Sequence, residues 1–211
     1  MCGEEERVSH MLTKTRGGRL NRYRIQDIVS VTGERPTSLR RGWIMARAEN
    51  DDSMSQITPL PTAQSSHTVT FYGVSEELHY TSAEQRRELD KRSCPELNPS
   101  PRTAAVLIPV KKSAEWWRFT QDERRGYFQR TPASEGHTAI GLRYADRIHR
   151  KLYHSRHLLG VSSYDFLTYF EFKDTDAPAF RELVAELRDV ARNPEWKYVD
   201  SEFELWMTKI A

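Results

Sequence analysis

From residue 104 to the end of the chain, hydrophobic residues follow strand-type and helix-type periods in a regular alternation. Val106, Ile108 and Val110 alternate within an apolar, β-branched run that predicts a strand. Thr120 and Glu123 have the spacing of a capping box, which predicts a helix through about Arg130. The predicted segments are the strand Ala104–Lys111, that helix, a second helical segment from His137 to Tyr144, the strands Arg147–Ser155 and Tyr164–Phe172, a helix capped by Asp176 that buries Phe180, Leu183, Val184 and Leu187, and a strand region at Trp196–Ile210.

The order of these segments is β-α-β-β-α-β, the ferredoxin-like arrangement, so the predicted fold class is α+β. Such a sheet carries its helices on one face only, and the other face needs a second unit or a partner to cover it. A strand near Thr68 and a charged helix from Thr81 to Lys91 form a candidate for a reduced preceding unit. Oligomerisation would then complete the cover.

Residues 1–66 have a composition that predicts little folded structure. Glu49–His67 is rich in Ser, Asp, Gln, Thr and Pro, and such a segment buries too little apolar surface to offset its chain entropy. Residues 1–50 carry more basic than acidic side chains, so a nucleic-acid-binding arm is one interpretation. We favour the second interpretation, a flexible extension, and expect the functional domain to span residues 67–211.

Bulk properties narrow the choice of partners and compartment. The net charge of +2 does not favour a polyanionic partner, and we expect no nucleic acid. No apolar run approaches the roughly 20 residues that span a membrane, and Met1–Ser30 lacks the apolar core of a secretory signal. Cys2 and Cys94 show no disulfide or metal spacing. We therefore expect a cytoplasmic protein without membrane contact, with a periplasmic location as the alternative.

Short catalytic motifs are absent, and the first indication of chemistry is charge on apolar strand faces. The sequence contains no GxxxxGK, HExxH, CxxC or GxSxG pattern. Lys112 follows the apolar face of its strand, and Arg150 lies between Ile148 and Leu152 on the apolar face of another. A buried cation is costly unless an anion meets it. Either these cations meet an anionic ligand, or they lie at strand edges that reach water.

His137 and two adjacent tryptophans complete the candidate site. His137 shares a helix face with Gly141, and a glycine there would let a flat group approach the backbone. A lone helical histidine is more often a capping or core residue than a metal ligand. Trp116 and Trp117 offer a broad aromatic wall beside Lys112, or simply a core anchor.

Four stretches of the sequence resemble the chlorite dismutase family. AVLIPVKKSAEWWRFTQDERR is similar to the family's strand and helix before its haem ligand, and GHTAIGLRYADRIHRKLYHS to the segment from that ligand to the distal arginine. SSYDFLTYFEF and NPEWKYVD are similar to later strands. The resemblance covers about residues 68–211 and is greatest to the short-chain, dimeric branch. It implies a haem-dependent dimeric α/β barrel and a homodimer.

The resemblance also implies roles for individual residues. His137 would be the proximal ligand to the iron of haem b, and Arg150, thirteen residues later, the distal catalytic residue. Glu195 would accept a hydrogen bond from the ligand histidine. The remaining implied roles are contacts to the haem propionates and edge for Lys112, Trp116 and Tyr80, and a core or interface position for Trp117. The loop Thr131–Gly136 departs from the family pattern by a few extra residues.

The implied activity is decomposition of chlorite to chloride and dioxygen by a haem-dependent oxidoreductase. Arg150 would bind the anionic substrate and retain the hypochlorite intermediate until dioxygen forms. The same superfamily contains coproporphyrin-iron decarboxylases, which are the main competing interpretation; an arginine at the distal position favours chlorite chemistry. A haem carrier or sensor without turnover, and a barrel protein that binds no haem, are also compatible with the sequence.

Overall fold

A computed structural model describes residues 20–32, 43–47, 54–60, 71–75, 82–156 and 164–210, with side chains in 82–156 and 164–209. Its strands are β1 Leu20–Thr32, β2 Trp43–Arg47, β3 Met54–Leu60, β4 Phe71–Ser75, β5 Thr103–Lys112, β6 His149–His154, β7 Phe166–Lys173 and β8 Val199–Ile210. Its α-helices are α1 Ala83–Arg92, α2 Ala114–Arg118, α3 Gln121–Phe128, α4 Gly136–Leu142 and α5 Ala177–Arg188. Two 3₁₀ turns, Asp174–Asp176 and Pro194–Tyr198, precede α5 and β8.

The second half of the chain confirms the predicted β-α-β-β-α-β order. Its four strands lie in the order β6-β7-β5-β8 and all pair antiparallel. The connection from β5 to β6 consists of the three short helices α2 to α4. The capping box that Thr120 and Glu123 predict is present at the start of α3. Asp176 lies at the cap position of α5, but its side chain makes no capping hydrogen bond there.

The first half of the chain forms strands where composition predicted none. β1, β2 and β3 lie within residues 1–66, and β1 pairs with β8 from Arg22 to Thr32. With β4 they form an antiparallel series that joins β6 and β8, so that eight strands close into a barrel. The expectation of an unfolded extension is wrong for these strands. β1 pairs with β8 at the other end of the chain, and composition does not reveal such a partner.

The barrel places two apolar layers on opposite faces of the second-half sheet. One layer, which includes Ala105 and Leu107, points away from the helices and into the barrel. The other, which includes Val106 and Ile108, lies under α4 and α5. The predicted core residues of α5 are buried in this second layer: Phe180, Leu183, Val184 and Leu187. The chain's own strands thus cover the sheet face that we expected a second unit or a partner to cover.

A buried ionic cluster surrounds Lys209 of β8. Lys209 is 1% exposed, and its Nζ lies 2.7 Å from carboxylate oxygens of both Glu171 and Glu96. Nζ also donates to the Leu97 carbonyl, and Tyr169 donates its hydroxyl hydrogen to Glu171. These bonds tie the loop before β5 to β7 and β8, and they satisfy charges that would otherwise be costly to bury.

The Glu96 carboxylate should make unfolding depend on pH in the acid range. Burial acts to raise its pKa, but Lys209 and Lys151 lower it more, to about 2 against an ordinary 4.5. The stabilisation is therefore complete above pH 4.5 and is lost as the pH falls towards 2. In Glu96→Gln the free energy of unfolding should change less between pH 4.5 and 2.5, by up to about 1 kcal/mol since Glu96 is partly exposed. Denaturant titrations at several pH values measure this. An equal dependence of the free energy of unfolding on pH in both proteins would contradict the prediction.

Candidate active site

His137 is the second residue of α4, and the backbone before it requires a glycine. Gly136 has a φ of +75°, and a Cβ at this position would lie 2.4 Å from the carbonyl oxygen of Gln129. The Gly136 amide donates to the Arg192 carbonyl over 3.1 Å. The end of α3 therefore lies against the start of α4, and this contact sets where His137 enters the site.

Four charged side chains hold α4 from both of its ends. Glu135, just before the helix, accepts from Arg192 at 2.6 Å and also from Arg143, just after it. Both arginines reach Glu186 of α5 as well. A seven-residue helix has little stability of its own, so this ring of ion pairs stabilises the orientation in which α4 presents His137.

His137, Glu195 and Lys112 form a triad whose carboxylate and ammonium are buried. His137 Nδ1 lies 2.9 Å from Glu195 Oε2, and the other oxygen of Glu195 accepts from Lys112 Nζ. The side chains of Lys112 and Glu195 are 2% and 4% exposed. Asp165 holds the strand at this point, because its carboxylate accepts the Lys112 backbone N–H at 2.7 Å. Sequence reasoning missed Asp165, which no motif marks.

Burial and the charges of the triad determine the protonation states of Glu195 and His137. Burial acts to raise the pKa of Glu195, but the charge of Lys112 and the hydrogen bond from His137 lower it well below its usual range. Burial lowers the pKa of His137 overall, although the hydrogen bond to Glu195 and the charge of Glu195 act to raise it; Arg150 and Lys112 add smaller lowering contributions. The favoured state is a carboxylate facing a neutral imidazole that donates from Nδ1, which leaves the Nε2 lone pair available.

Lys112 meets a protein carboxylate within the site. Its ammonium is enclosed by Glu195 and by two indole rings, at 4.9 Å from the centroid of Trp116 and 5.3 Å from that of Trp196. The inward direction predicted from the strand pattern is thus correct, but the anion it meets belongs to the protein. Breaking a buried ion pair costs free energy, which favours Lys112 keeping Glu195 as its partner.

The two adjacent tryptophans differ in their burial and in their neighbours. Trp116 is 1% exposed and packs in an aromatic core with Tyr127, Phe128 and Tyr198. Trp117 is half-buried, and its ring stacks on Phe166 with the Arg156 guanidinium 3.7 Å from its centroid. Trp116 is therefore the core residue. Trp117 is on the sheet side of α2, with a buried Nε1 that lacks a partner among the described residues.

Arg150 lies on the helix-covered face of β6. It pairs in register with Phe170, which belongs to the layer beneath the helices. Its side chain is accessible to solvent; desolvation by surrounding protein atoms lowers its pKa, while the charge of Glu195 acts to raise it. Within the described part of the chain it makes no hydrogen bond or ion pair, and a guanidinium stays charged regardless.

The remaining histidines have different surroundings. His149 Nδ1 lies 2.9 Å from the Cys94 carbonyl oxygen, and His154 packs edge-on against Phe166 with ring centroids 5.0 Å apart. Tyr80 and His157 lie outside the described residues. His137 is thus the described histidine whose Nδ1 is held by a buried carboxylate.

The face of α4 at Gly141 is open. A Cβ built on Gly141 meets no atom within 4 Å, so the helix is open on that side. Ile148, which shares a strand face with Arg150, packs in the same layer as Ile140 of α4, so this helix and the start of β6 are neighbours. His137 Nε2 makes no hydrogen bond to a described residue. One available imidazole nitrogen, an open helix face and a nearby guanidinium suit a porphyrin with an axial histidine.

The described helices include none that is both long and apolar enough to cross a membrane.

The fold and site together define an α+β barrel protein with a histidine–carboxylate–lysine triad on its helical face. A sequence profile of the chlorite dismutase family matches residues 13–207, and the chain belongs to that family. This match begins well before residue 68, where the resemblance visible in the sequence begins. It includes β1 to β3, so these strands are part of the family's common architecture.

Individual relatives agree with this assignment. A chlorite dismutase from Ideonella dechloratans is 36% identical over 133 residues, which are 62% of this chain and 41% of that protein. The crystal structure of dimeric chlorite dismutases from Nitrobacter winogradskyi has a TM-score of 0.68 at 30% identity, covering 89% of this chain and 93% of that one. A Candidatus Nitrospira defluvii chlorite dismutase in complex with imidazole gives 0.53 at 29%, covering 71% and 59%. The chain thus spans under half the length of the Ideonella relative.

Proposed function

We propose that this protein binds haem b through His137 Nε2 and decomposes chlorite to chloride and dioxygen. The observation that carries the proposal is the triad, in which Glu195 accepts from His137 Nδ1 while Lys112 holds the carboxylate. Ligand histidines in metalloproteins commonly donate their second nitrogen to a carboxylate, which fixes the tautomer and strengthens the donor. The haem would supply the oxygen-transfer chemistry at its iron.

The protein's own residues would divide the work between the two faces of the haem. Glu195 would keep the proton on His137 Nδ1 and so leave Nε2 free to bind the iron on the proximal side. On the distal side, Arg150 offers a permanent positive charge without a competing carboxylate partner among the described residues. It would bind chlorite and hold the hypochlorite fragment near the reacting centre. An arginine here is also why we place chlorite ahead of coproporphyrin-iron decarboxylation.

We further propose that the functional assembly is a homodimer. The Nitrobacter winogradskyi structure, which is of dimeric chlorite dismutases, matches nearly the whole length of both chains. Since the eight strands of one chain already close the barrel, the partner is not needed to cover the sheet.

Oxygen release from haem-reconstituted protein given chlorite tests the proposed function. An oxygen electrode should record rapid evolution from the wild-type protein and almost none from His137→Ala. The matched control is His154→Ala, which removes a histidine on β6 without touching the triad. Haem binding without oxygen release would transfer the assignment to a decarboxylase or a carrier. A wild-type protein without a Soret band would contradict haem binding altogether.

A further inference from the structure

We propose that Glu202, anchored by Arg188, is a positioning residue for His137 that acts through Trp196 and Glu195. The inference rests on the proposed role of His137 as an axial ligand. It concerns a set of contacts that reaches the triad through Trp196, the residue after Glu195. Its members lie on three different elements: α5, the 3₁₀ turn Pro194–Tyr198 and β8.

Glu202 is a buried carboxylate with two kinds of partner. Its side chain is 0% exposed, and Arg188 binds both of its oxygens, Nε to Oε1 at 3.1 Å and Nη2 to Oε2 at 3.2 Å. Oε1 also accepts from the indole Nε1 of Trp196 at 3.0 Å. A carboxylate fixed by a two-point arginine contact is a rigid acceptor, so the indole ring it holds is fixed as well.

Trp196 connects Glu202 to the triad. It follows Glu195 directly in the chain, and its ring forms one wall around the Lys112 ammonium, which also contacts the ring of Trp116. Lys112 in turn binds Glu195 through both its carboxylate and its backbone carbonyl, the latter at 3.4 Å. If the indole moved, both Lys112 and the backbone of Glu195 would gain freedom, and the 2.9 Å contact to His137 Nδ1 would loosen.

Glu204 provides a matched control on the same strand. It binds the same arginine, at 2.7 Å from Nη1, and it accepts from a tryptophan, Trp206 Nε1, at 2.6 Å. The ring of Trp206 packs on Phe172 and Phe180 beneath α5, whereas the ring of Trp196 packs on the Lys112 ammonium. The two glutamate–tryptophan pairs are chemically alike, but of the two tryptophans it is Trp196 that adjoins the triad.

The test compares Trp196→Phe with Trp206→Phe in two measurements. In the apo protein, NMR should show the hydrogen-bonded Nδ1 proton of His137 exchanging about tenfold faster in Trp196→Phe, the factor expected for one lost hydrogen bond, and unchanged in Trp206→Phe. In the haem-loaded protein, the Fe(III)/Fe(II) midpoint potential should become more positive in Trp196→Phe alone, because a weaker Glu195 contact makes the imidazole a poorer donor.

The outcomes separate this inference from the proposed function. If neither variant changes the Nδ1 proton, or if both change it equally, the inference is wrong whether or not haem binds. If Trp196→Phe changes the proton but the wild-type protein takes up no haem, the positioning role stands and the haem assignment fails. Should Trp196→Phe not fold, Glu202→Gln against Glu204→Gln repeats the comparison with the ring retained.

Discussion

Lys112→Met should lower the free energy of unfolding of the apo protein by about 3–5 kcal/mol. The substitution keeps the length of the side chain and its packing between Trp116 and Trp196, but it leaves the buried Glu195 carboxylate without its cation. Removal of one partner from a buried ion pair is among the most costly single changes, since the remaining charge stays desolvated. Chemical denaturation monitored by tryptophan fluorescence measures the loss.

Two further variants make the interpretation of Lys112→Met specific. Lys111→Met changes the neighbouring, exposed lysine of β5 and should alter stability by no more than about 0.5 kcal/mol. The double variant Lys112→Met/Glu195→Leu should recover part of the loss, because it leaves no buried charge in the pair. Equal losses of unfolding free energy in Lys111→Met and Lys112→Met would show that the buried ion pair stabilises the protein no more than an exposed lysine does.

Arg150→Ala should reduce the rate of oxygen release from chlorite by about a hundredfold, the effect typical of removing one donor that stabilises developing negative charge. It should also raise the yield of free hypochlorite, detected by a chlorination trap, and speed the bleaching of the haem. Arg150 is exposed and makes no hydrogen bond or ion pair with a described residue, so stability should hardly change.

A neighbouring lysine provides the control for the arginine. Lys151 is the next residue of β6 and points to the opposite face, where it pairs with Glu96 at 3.1 Å. Lys151→Ala should leave oxygen release near the wild-type rate. Unchanged oxygen release and unchanged bleaching in Arg150→Ala would remove Arg150 from the mechanism, while Arg150→Lys shows whether charge alone suffices.

The spacing of apolar residues within single segments predicted the second half of the fold. The apolar run that became β5 and the amphipathic pattern that became α5 carry their structural signal within a single segment. β1 carries no such signal that composition could reveal, and it is stabilised in the barrel by pairing with β8, the last strand of the chain. The expected unfolded extension was therefore wrong for strands whose stability depends on distant partners.

The candidate site shows the same division. His137 and Arg150 were candidates from their helix and strand faces, and the family resemblance gave them roles and added Glu195. The structure brings His137 within hydrogen-bonding distance of Glu195. The direction of Lys112 was inferred correctly from strand alternation, but its partner was not. Adjacent residues such as Trp116 and Trp117 point in different directions, and only the packing of α2 against α3 and the sheet decides which is core.

The sequence by itself determined the order of the later elements, the apolar faces of β5 and α5, and the residue types available for chemistry. These properties depend on neighbours a few positions apart in the chain. Only the tertiary structure decided that β1 and β4 close the barrel. It also decided that Glu195 meets Lys112, 83 positions away, and that Glu202 accepts a hydrogen bond from Trp196. The physical reason is that burial and ion pairing depend on distances in space. Between residues far apart in the chain, these distances are set only when the chain folds.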